Sequence, residues 1–535
     1  MRSVRYSLLS IAAPLALLAQ PIAGERIRAH VRFLASDLLE GRGVGARGGE
    51  LAAEYIASQL ALAGARPAGD NGTYFQRVPL VGIETQTGSE LAAVAGERSV
   101  PFRWLDDFVG VNRRQRAREA IDAELVFAGH GIAAPEFRWD DFKTADVKGK
   151  VLVLFTNEPP STDPKFFGGR ALTYYGRWTY KYEQALRKGA LGALIIHTPP
   201  TAGYAWDVVR NSWGREDPYV KLADGAPELA FAGWLTTEAA NRLLSLAGKS
   251  VAELLQAAAS PQFRPIPLGV RLRGTIHSRI RAIETRNVAA IIPGGDRAAE
   301  AVIFSAHWDH LGIGTPVAGD AIYNGAVDNA TGCGVLLEIA RVWGALPQKP
   351  RRSALFLAVT AEEGGLRGSE FYAHHPLVAP GKTAVSLNYD MLYPLGRTRD
   401  VVVTGAERTT LWPLVEATAK RFGLAIQPDA EPEQGRFYRS DHFSFARAGI
   451  PAFSIKNGAE YLGKPAGFGP EAMKEFNAKH YHRPSDEYRD DFDFSGIEEL
   501  ARFGFTLGAD AANAQRLPAW NKGDEFGAAR EKSLK

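Results

Sequence analysis

Five side chains that can bind a metal ion are spread over the second half of this 535-residue sequence. In chain order they are His307, Asp328, Glu363, Asp390 and His482, and most of them come directly after an apolar run typical of a buried strand. Two imidazoles and three carboxylates are enough to hold a pair of zinc ions, since zinc accepts both kinds of ligand. The spacing therefore predicts a two-metal centre assembled from distant parts of the chain.

Two adjacent acids, Glu362 and Glu363, follow the apolar run in VTAEEGGLRGS. Neighbouring carboxylates repel each other, and a solvated pair would not need a buried strand in front of it, so the pair indicates a function. We assign Glu363 as a metal ligand and Glu362 as the general base. Zinc lowers the pKa of its water to about 7, and a carboxylate within hydrogen-bond reach can then take the proton and pass it to a leaving nitrogen.

Asp309 lies two residues after His307 in SAHWDHLG. Metal-bound histidines usually donate their second ring N–H to a carboxylate, which fixes the tautomer and the direction of the ring. We therefore expect Asp309 to orient His307 and group it with the catalytic residues. His310 is interpreted as structural.

Asp328 lies in the small-residue loop YNGAVDNATG, in front of an amphipathic segment. Alone it would be read as a helix cap, but together with the other ligands it is better explained as a carboxylate that bridges two ions. Asp390 ends the buried run in SLNYDML. His482 lies in the polar loop KHYHRPSDEY, where His480 is the alternative ligand and Asp486 is the expected orienting partner.

The segment FYRSDHFSFARAGIPAFSI is a candidate wall of the pocket. His442 would either donate a hydrogen bond to a developing oxyanion or simply hold a loop. Tyr438 is a candidate substrate-binding residue, and the aromatic candidates for the pocket are Tyr438, Phe443, Tyr461 and Phe468.

Alternating strands and helices position these residues. The runs AVIFSAH, SALFLAVT, AVSLNYD and PAFSI read as strands, and helices are predicted between them near 332–343, 368–374 and 411–422. Strands that are apolar on both faces and separated by helices predict an α/β fold, with a mostly parallel central sheet flanked by helices on both faces. Sites in such sheets form where the strands end at their carboxyl edge, where three of the ligands fall.

The chain divides into two predicted units. Residues 24–120 and 271–516 form a discontinuous catalytic domain, and residues 121–270 form an inserted β-rich domain without a carboxylate cluster. Residues 517–535 are expected to be a frayed, polar C-terminal tail. The only cysteine, Cys333, is interpreted as a core residue.

Charge and N-terminal composition limit the partners and the location. The 63 basic and 60 acidic residues give a formal charge of +3, and no dense Lys/Arg block suggests a nucleic-acid partner. Residues 1–23 combine two arginines, an apolar run and small residues, the layout of a secretory signal cleaved after Ala23. No other stretch is apolar enough to span a membrane, so we expect a periplasmic or secreted protein.

The motifs HxD, DNATG, EEGG, NYDM and YHxPxD together resemble those of the co-catalytic di-zinc exopeptidases. This family includes secreted bacterial aminopeptidases, glutamate carboxypeptidase and the transferrin receptor ectodomain. The similarity covers residues 285–505 and the early LASDLLEGRGVG, and the inserted part is similar to a protease-associated domain.

The resemblance implies a partition of the ligands. One zinc ion would be held by His307 and Asp390 and the other by Glu363 and His482, with Asp328 shared between them. It also implies Glu362 as the base, favours His482 over His480, and implies a cis peptide bond after Asp328.

The function implied by the resemblance is that of a metallo-aminopeptidase acting on peptides with two zinc ions. Within the same fold, a carboxypeptidase for acidic C-termini and a cyclase for N-terminal glutamine stay open. A non-catalytic, receptor-like binding module is disfavoured because such proteins lose metal ligands, whereas all five are present here. Side-chain preference, oligomeric state and the native metal stay open too, since carboxylate-rich sites also accept cobalt or manganese.

Overall fold

The computed structural model describes residues 21–202 and 205–535. Nearly all of the predicted signal segment, 1–23, lies outside these residues. No helix in the described part of the chain is both long enough and apolar enough to cross a membrane. The α-helices in that part are α1 (Gly24–Leu34), α2 (Arg47–Leu62), α3 (Trp178–Arg187), α4 (Pro199–Ala202), α5 (Trp206–Trp213), α6 (Thr237–Ser245), α7 (Val251–Ala258), α8 (Thr331–Gly344), α9 (Arg367–His374), α10 (Trp412–Phe422), α11 (His442–Arg447), α12 (Phe468–Lys479), α13 (Ser495–Asn513) and α14 (Gly527–Ser533).

The strands form one large branched sheet and three small ones. In chain order they are β1 (Arg66–Pro67), β2 (Phe75–Thr85), β3 (Glu90–Ala95), β4 (Arg98–Phe102), β5 (Phe108–Val111), β6 (Arg118–Phe127), β7 (Ala133–Ala134), β8 (Trp139–Asp140), β9 (Val151–Phe155), β10 (Gly192–Ile196), β11 (Asp217–Val220), β12 (Phe231–Leu235), β13 (Ile266–Ile292), β14 (Arg297–His307), β15 (Gly312–Val317), β16 (Asp320–Tyr323), β17 (Arg352–Val359), β18 (Thr383–Asn388), β19 (Asp400–Val402), β20 (Ala425–Gln427), β21 (Ala452–Ser454) and β22 (Lys456–Asn457).

Four parallel strands form the centre of the fold, in the spatial order β21, β18, β14, β17. β13 extends this sheet antiparallel to β17, and β2 pairs antiparallel with β13. Helices α1, α2, α8 and α13 cover one face, and α9 and α11 cover the other. The predicted α/β fold is confirmed, and the helices predicted near 332–343, 368–374 and 411–422 are α8, α9 and α10.

Strand β17 shows why these segments become central strands. All eight of its residues are buried. Side chains alternate between the two faces of a strand, and accordingly Phe356 and Ala358 pack in one hydrophobic cluster while Leu355 and Leu357 pack in the other. Each large apolar side chain buried in this way contributes about 1.5–3 kcal/mol.

A second group of strands pairs with the N-terminal half of β13. The first half of this long strand pairs with β3 and β6, and β9, β10 and β12 follow in parallel, with β5 antiparallel at the edge. The insertion was predicted to start at residue 121, but β3, β4 and β5 already pair within this group. The second group of strands therefore starts near Glu90. Short alternating strands occur on both sides of residue 121, so the sequence shows no break at the true entry point.

The inserted part and the central sheet share a hydrophobic cluster. Phe167 and Tyr174 of the inserted part pack in the same cluster as Tyr438 and Phe443. A backbone hydrogen bond of 3.0 Å also joins Leu172 N–H to the carbonyl of Pro432. The insertion is consequently packed onto the loop that leads into α11.

The C-terminal segment is not frayed, contrary to the prediction for 517–535. Trp520 and Phe526 are buried, and Arg530 is only 1% exposed. The Arg530 guanidinium donates hydrogen bonds to the carbonyls of Pro518 and Pro380. The segment is polar in composition, but its few aromatic residues supply enough apolar surface to dock it.

Candidate active site

The carboxyl ends of three neighbouring parallel strands bring predicted ligands together. His307 is the last residue of β14, Glu363 follows β17 on one side of it, and Asp390 follows β18 on the other. Asp328 approaches from the loop in front of α8, and His482 from the loop after α12. The edge of the sheet predicted to carry the site therefore does carry this cluster.

Asp328 lies between two pairs of side chains. Its Oδ1 is 3.3 Å from His307 Nε2, which is also 3.3 Å from Asp390 Oδ1. Its Oδ2 is 3.5 Å from His482 Nε2, which is 3.0 Å from Glu363 Oε2. The two oxygens of one carboxylate thus face opposite halves of the cluster. The Asp328–Asn329 peptide bond is cis, as the resemblance implied.

These distances fit two metal ions. Ligand atoms bound to one tetrahedral zinc at about 2.0–2.1 Å lie about 3.3 Å from each other. All four separations around Asp328, from 3.0 to 3.5 Å, agree with this spacing. The side chains also divide into the two sets that the resemblance implied.

The charges around the cluster suit cations. Burial alone would lower the pKa of His307, but Glu362 and Asp328 outweigh burial and raise this pKa well above its usual range. Burial is likewise outweighed at His482, whose pKa Glu363 and Asp328 raise to about 10. Burial would raise the pKa of Asp328, whereas hydrogen bonds from both histidines hold it well below its usual range. The site strongly stabilises positive charge.

The two adjacent acids differ in their surroundings. The carboxylate of Glu362 accepts no hydrogen bond from any residue in 21–202 or 205–535. Burial raises its pKa well above the usual range, with Asp390 adding to the effect and His307 opposing it. At Glu363, burial is outweighed by the charge of His482, and the pKa falls to about 2. Glu362 is therefore suited to hold a proton, and Glu363 is suited to stay ionised.

Asp309 holds the turn that carries these acids. It was predicted to orient His307 through its carboxylate. Instead, His307 Nδ1 lies 3.1 Å from the backbone carbonyl oxygen of Asp309, and the carboxylate is 3.9 Å away. That carboxylate accepts the backbone N–H groups of Glu362 and Glu363, at 3.1 and 3.4 Å. Residue 309 therefore orients the histidine through its main chain and the acids through its side chain.

Asp486 acts on the Asp328 loop and not on His482. Its two oxygens accept the backbone N–H groups of Val327 and Asp328, at 2.9 and 3.1 Å. The prediction paired Asp486 with the nearby histidine because both lie in one short loop, but the loop folds its carboxylate the other way. The competing His480 contacts Ser485 and does not reach the cluster.

His310 belongs to the cluster, although the sequence analysis interpreted it as structural. Its Nδ1 is 2.5 Å from Glu363 Oε1, too short for two ligands of one ion and typical of a hydrogen bond. Asp328, Glu363 and His310 also form a group with the spacing of metal ligands. The distances favour His482 as the ligand and His310 as the side chain that holds Glu363.

The candidate pocket residues Tyr438, Phe443 and His442 are buried. Tyr438 is buried, and its hydroxyl donates to Glu525 Oε1 at 2.8 Å. Phe443 packs edge to face on the same tyrosine. The ring of His442 is 1% exposed and packs edge-on against Phe437. All three side chains are buried, and Tyr438 and Phe443 pack in one cluster with Phe167 and Tyr174 of the inserted part.

Tyr481 is a site residue that the sequence analysis missed. Its ring stacks on His482 with 3.8 Å between centroids, and 40% of the residue is exposed. Burial of the hydroxyl, together with Asp328 and Glu363, raises the pKa of Tyr481 well above its usual range. The hydroxyl therefore stays protonated and can donate a hydrogen bond. Its position next to a ligand was the only signal in the sequence.

The early LEGRGVG segment completes the site through Arg42. This arginine is 1% exposed, and its guanidinium donates to four backbone carbonyls, those of Leu34, Trp308, Asn324 and Gly325. Trp308 follows the first ligand, and Gly325 begins the loop of the bridging aspartate. One buried cation thus ties together two ligand-bearing segments and the end of α1.

The inserted part touches the turn of the two acids. Arg367 Nε donates to the carbonyl of Pro218 in β11 at 2.8 Å, and its guanidinium lies 4.6 Å from the ring centroid of Tyr219. A Cβ added to Gly364 would lie 2.3 Å from Pro218 Cγ. The turn therefore needs a glycine at 364 in order to pack against β11.

Residues 287–503 match the profile described as Peptidase family M28. This part of the chain, which is similar to family M28, is called the M28 segment below. The M28 segment contains all five predicted ligands and Glu362, which confirms the resemblance to the co-catalytic zinc exopeptidases. The early helices and the inserted part lie outside the matched range.

Two known enzymes share part of the sequence of this chain. The chain is 33% identical to aminopeptidase NAALADL1 of Mus musculus over 168 residues, which are 29% of this chain and 21% of that protein. It is 30% identical to leupeptin-inactivating enzyme 1 of Streptomyces exfoliatus over 183 residues, 33% of this chain and 36% of that protein. The chain thus spans only about a fifth to a third of the length of these relatives.

The aminopeptidase from Aneurinibacillus sp. strain AM-1 has a similar fold. The TM-score is 0.50 at 18% identity, covering 93% of this chain and 96% of that one. This likeness shows the fold, and it extends beyond the matched M28 segment to nearly the whole chain.

Proposed function

We propose that the protein is a di-zinc aminopeptidase that hydrolyses N-terminal residues from peptides. The observation that carries the proposal is Asp328, whose two oxygens face His307 and His482 on opposite sides at the spacing of zinc ligands. In this proposal His307 and Asp390 hold one ion, Glu363 and His482 hold the other, and Asp328 bridges. The names of the relatives as aminopeptidases support the reaction.

Each residue of the site has its own role in the proposed hydrolysis. Two zinc ions, when bound, activate a water molecule, polarise the scissile carbonyl and anchor the free terminus. Glu362 takes the proton of the attacking water and returns it to the leaving nitrogen. Asp309 holds the main chain of both acids, and the Tyr481 hydroxyl donates a hydrogen bond to the oxyanion as it develops.

The variant Glu362→Gln tests the assignment of the base. We expect it to keep two zinc ions per chain by elemental analysis and to lose about 10²–10⁴-fold in kcat. Glu487→Gln, an exposed acid in the ligand loop, is the matched control and should leave both unchanged. If Glu362→Gln retained most of the activity, another group would have to be the base.

Three other functions predict different results with the same protein. A carboxypeptidase would cleave N-blocked peptides with acidic C-termini, and a glutaminyl cyclase would act on N-terminal glutamine. A receptor-like module would bind no zinc and cleave nothing. Free-amine, N-blocked and N-glutaminyl peptides, assayed side by side with and without a chelator, separate these possibilities. The proposed function requires cleavage of free-amine peptides that is lost on chelation, no cleavage of N-blocked peptides and no cyclisation of N-terminal glutamine.

The proposal includes export to the periplasm or the medium, with residues 1–23 removed after Ala23. The backbone N–H of Gly24 donates to Glu498 Oε2 at 2.8 Å, so a terminal ammonium formed at Gly24 would meet a carboxylate. Mass spectrometry of the exported protein should find Gly24 as the first residue. The inserted part, which we propose is protease-associated-like, would border the cleft.

A further inference from the structure

A fourth parallel strand ends beside the site and carries a lysine that the proposed reaction does not use. Strands β18 and β21 are in register, with Asn388 opposite Ser454. Asp390 lies two residues past Asn388, and Lys456 lies two residues past Ser454. Side chains two residues apart share a face of a strand. Lys456 therefore lies beside Asp390 in the same way that Asp390 lies beside His307.

The charge of Lys456 has no counter-ion in the structure. Among residues 21–202 and 205–535, no carboxylate lies within ion-pair distance of its ammonium, and no hydrogen bond involves it. The carboxylate next to it is already engaged, because Asp390 Oδ1 faces His307 Nε2 at 3.3 Å and Oδ2 accepts the Ser440 hydroxyl at 2.6 Å. Lys456 is half-buried, so a ligand in the cleft can reach a cation that the protein leaves unneutralised.

The charge of Lys456 acts on two side chains at this edge of the sheet. Burial lowers the pKa of His442 to about 3, and Lys456 is the next largest cause. Lys456 also acts on the Asp390 carboxylate, which lies next to it at the ends of the paired strands. A cation that acts on both of these residues lies close to the metal ligands.

We propose that Lys456 is a specificity-determining residue that binds a carboxylate of the peptide substrate. The inference rests on the proposed aminopeptidase function and names its substrate class, peptides that carry a carboxylate close to the scissile bond. That carboxylate is either the C-terminus of a di- or tripeptide or the side chain of an acidic residue. An ammonium that is partly desolvated binds such a group with a charge-assisted hydrogen bond.

The test compares three substrates that share one well-cleaved N-terminal residue X, namely X-alanine, X-alanine amide and X-glutamate amide. We measure kcat/KM for each with the zinc-loaded wild-type protein and with Lys456→Met, which keeps the length of the side chain. Lys456→Arg retains the charge and Lys420→Met removes an exposed lysine from α10 as the matched control. Melting temperatures establish that each variant is folded.

The wild type should prefer X-alanine over X-alanine amide by about ten-fold or more, the effect of one hydrogen bond to a charged group. Lys456→Met should bring this ratio close to one, while Lys456→Arg keeps most of it and Lys420→Met leaves it unchanged. If X-glutamate amide shares the preference, a side-chain carboxylate suffices, and if it does not, the C-terminal carboxylate is the ligand. The preference should also weaken with added salt.

Two other outcomes overturn the inference in distinguishable ways. If Lys456→Met lowers kcat/KM for the acid and for the amide by the same factor, the lysine only compensates the charge of Asp390. If the wild type cleaves both without preference, Lys456 selects nothing. If the zinc-loaded wild type cleaves none of the three, the proposed function itself fails.

Discussion

Replacing Arg367 with methionine tests whether the inserted part positions the two acids of the site. Arg367 lies five residues after Glu362 at the start of α9, and its side chain is 13% exposed. It donates to the carbonyl of Pro218, pairs with Glu370 at 3.2 Å and covers the ring of Tyr219. The variant removes all three contacts, while methionine keeps most of the apolar stem.

The contacts set the size of the expected effect. The hydrogen bond from a charged donor contributes about 1.5–3 kcal/mol, the partly buried ion pair with Glu370 up to about 1 kcal/mol, and the cation–π contact about 0.5–1 kcal/mol. We therefore expect the free energy of unfolding to fall by about 2–5 kcal/mol. A displacement of about 1 Å in the turn can cost about 10²-fold in rate, so kcat should fall by about 10- to 100-fold.

The assay compares kcat, KM, zinc content and chemical unfolding for the wild type and two pairs of variants. Gly364→Ala perturbs the same contact from the other side, because its Cβ would meet Pro218 at 2.3 Å. Arg351→Met is the matched control, since it removes an arginine paired at 2.7 Å with the exposed Asp296. Arg367→Lys shows whether charge alone restores the contact.

We expect both Arg367→Met and Gly364→Ala to lower kcat with two zinc ions still bound and KM little changed. The control should lose less than about 1 kcal/mol and keep its kcat. If Arg367→Met were destabilised as calculated but kept the kcat of the wild type, the turn would be held by Asp309 and its own hydrogen bonds alone. The role proposed for the contact with β11 would then be wrong.

Three more predictions concern the supports of the site and the inserted part. Asp486→Ala removes the acceptor of two backbone N–H groups before and at Asp328, so zinc affinity measured by chelator competition should fall about 10- to 100-fold with all ligands present. Arg42→Lys cannot serve four buried carbonyls with one ammonium and should lower the free energy of unfolding by about 2–4 kcal/mol in denaturant titrations. Burial, then Lys181, lowers the pKa of His130 to about 3, below its unfolded value of about 6.5, so the stability from this neutral ring is complete above pH 6.5 and is lost towards pH 3. His130→Gln should therefore show a smaller drop in melting temperature between pH 7 and pH 5 than the wild type.

The boundary of the inserted part shows a limit of sequence patterns. Strands β3, β4 and β5 have the short, alternating texture of surface strands in either unit, and only their partners in β13 and β12 assign them to the second group. The C-terminal segment shows the same limit. Its polar composition predicted a frayed end, but whether Trp520 and Phe526 are buried depends on a complementary surface from residues far away in the chain.

For the supporting residues of the site, too, the sequence predicted some features and the structure decided others. Asp309 and Asp486 were predicted to act near the ligands, and they do, but each serves backbone N–H groups that the prediction did not consider. Tyr438 and His442 were placed at the cleft because of their position in a motif, yet both side chains are buried, and Tyr438 packs with Phe167 and Tyr174 of the inserted part. The roles proposed for Tyr481 and Lys456 depend on the folded positions of neighbouring loops and strands.

The sequence by itself determined the class of fold and indicated the proposed ligands His307, Glu363 and Asp390, because both follow from local rules. An apolar run long enough for a strand is buried in a parallel sheet, and the polar residue directly after it lies at the edge where all such strands end. The tertiary structure alone decided which side chain faces which, since the direction of a loop side chain depends on contacts between segments hundreds of residues apart. Asp309 and Arg42 illustrate this, because their partners are backbone groups, which carry no signature in the sequence.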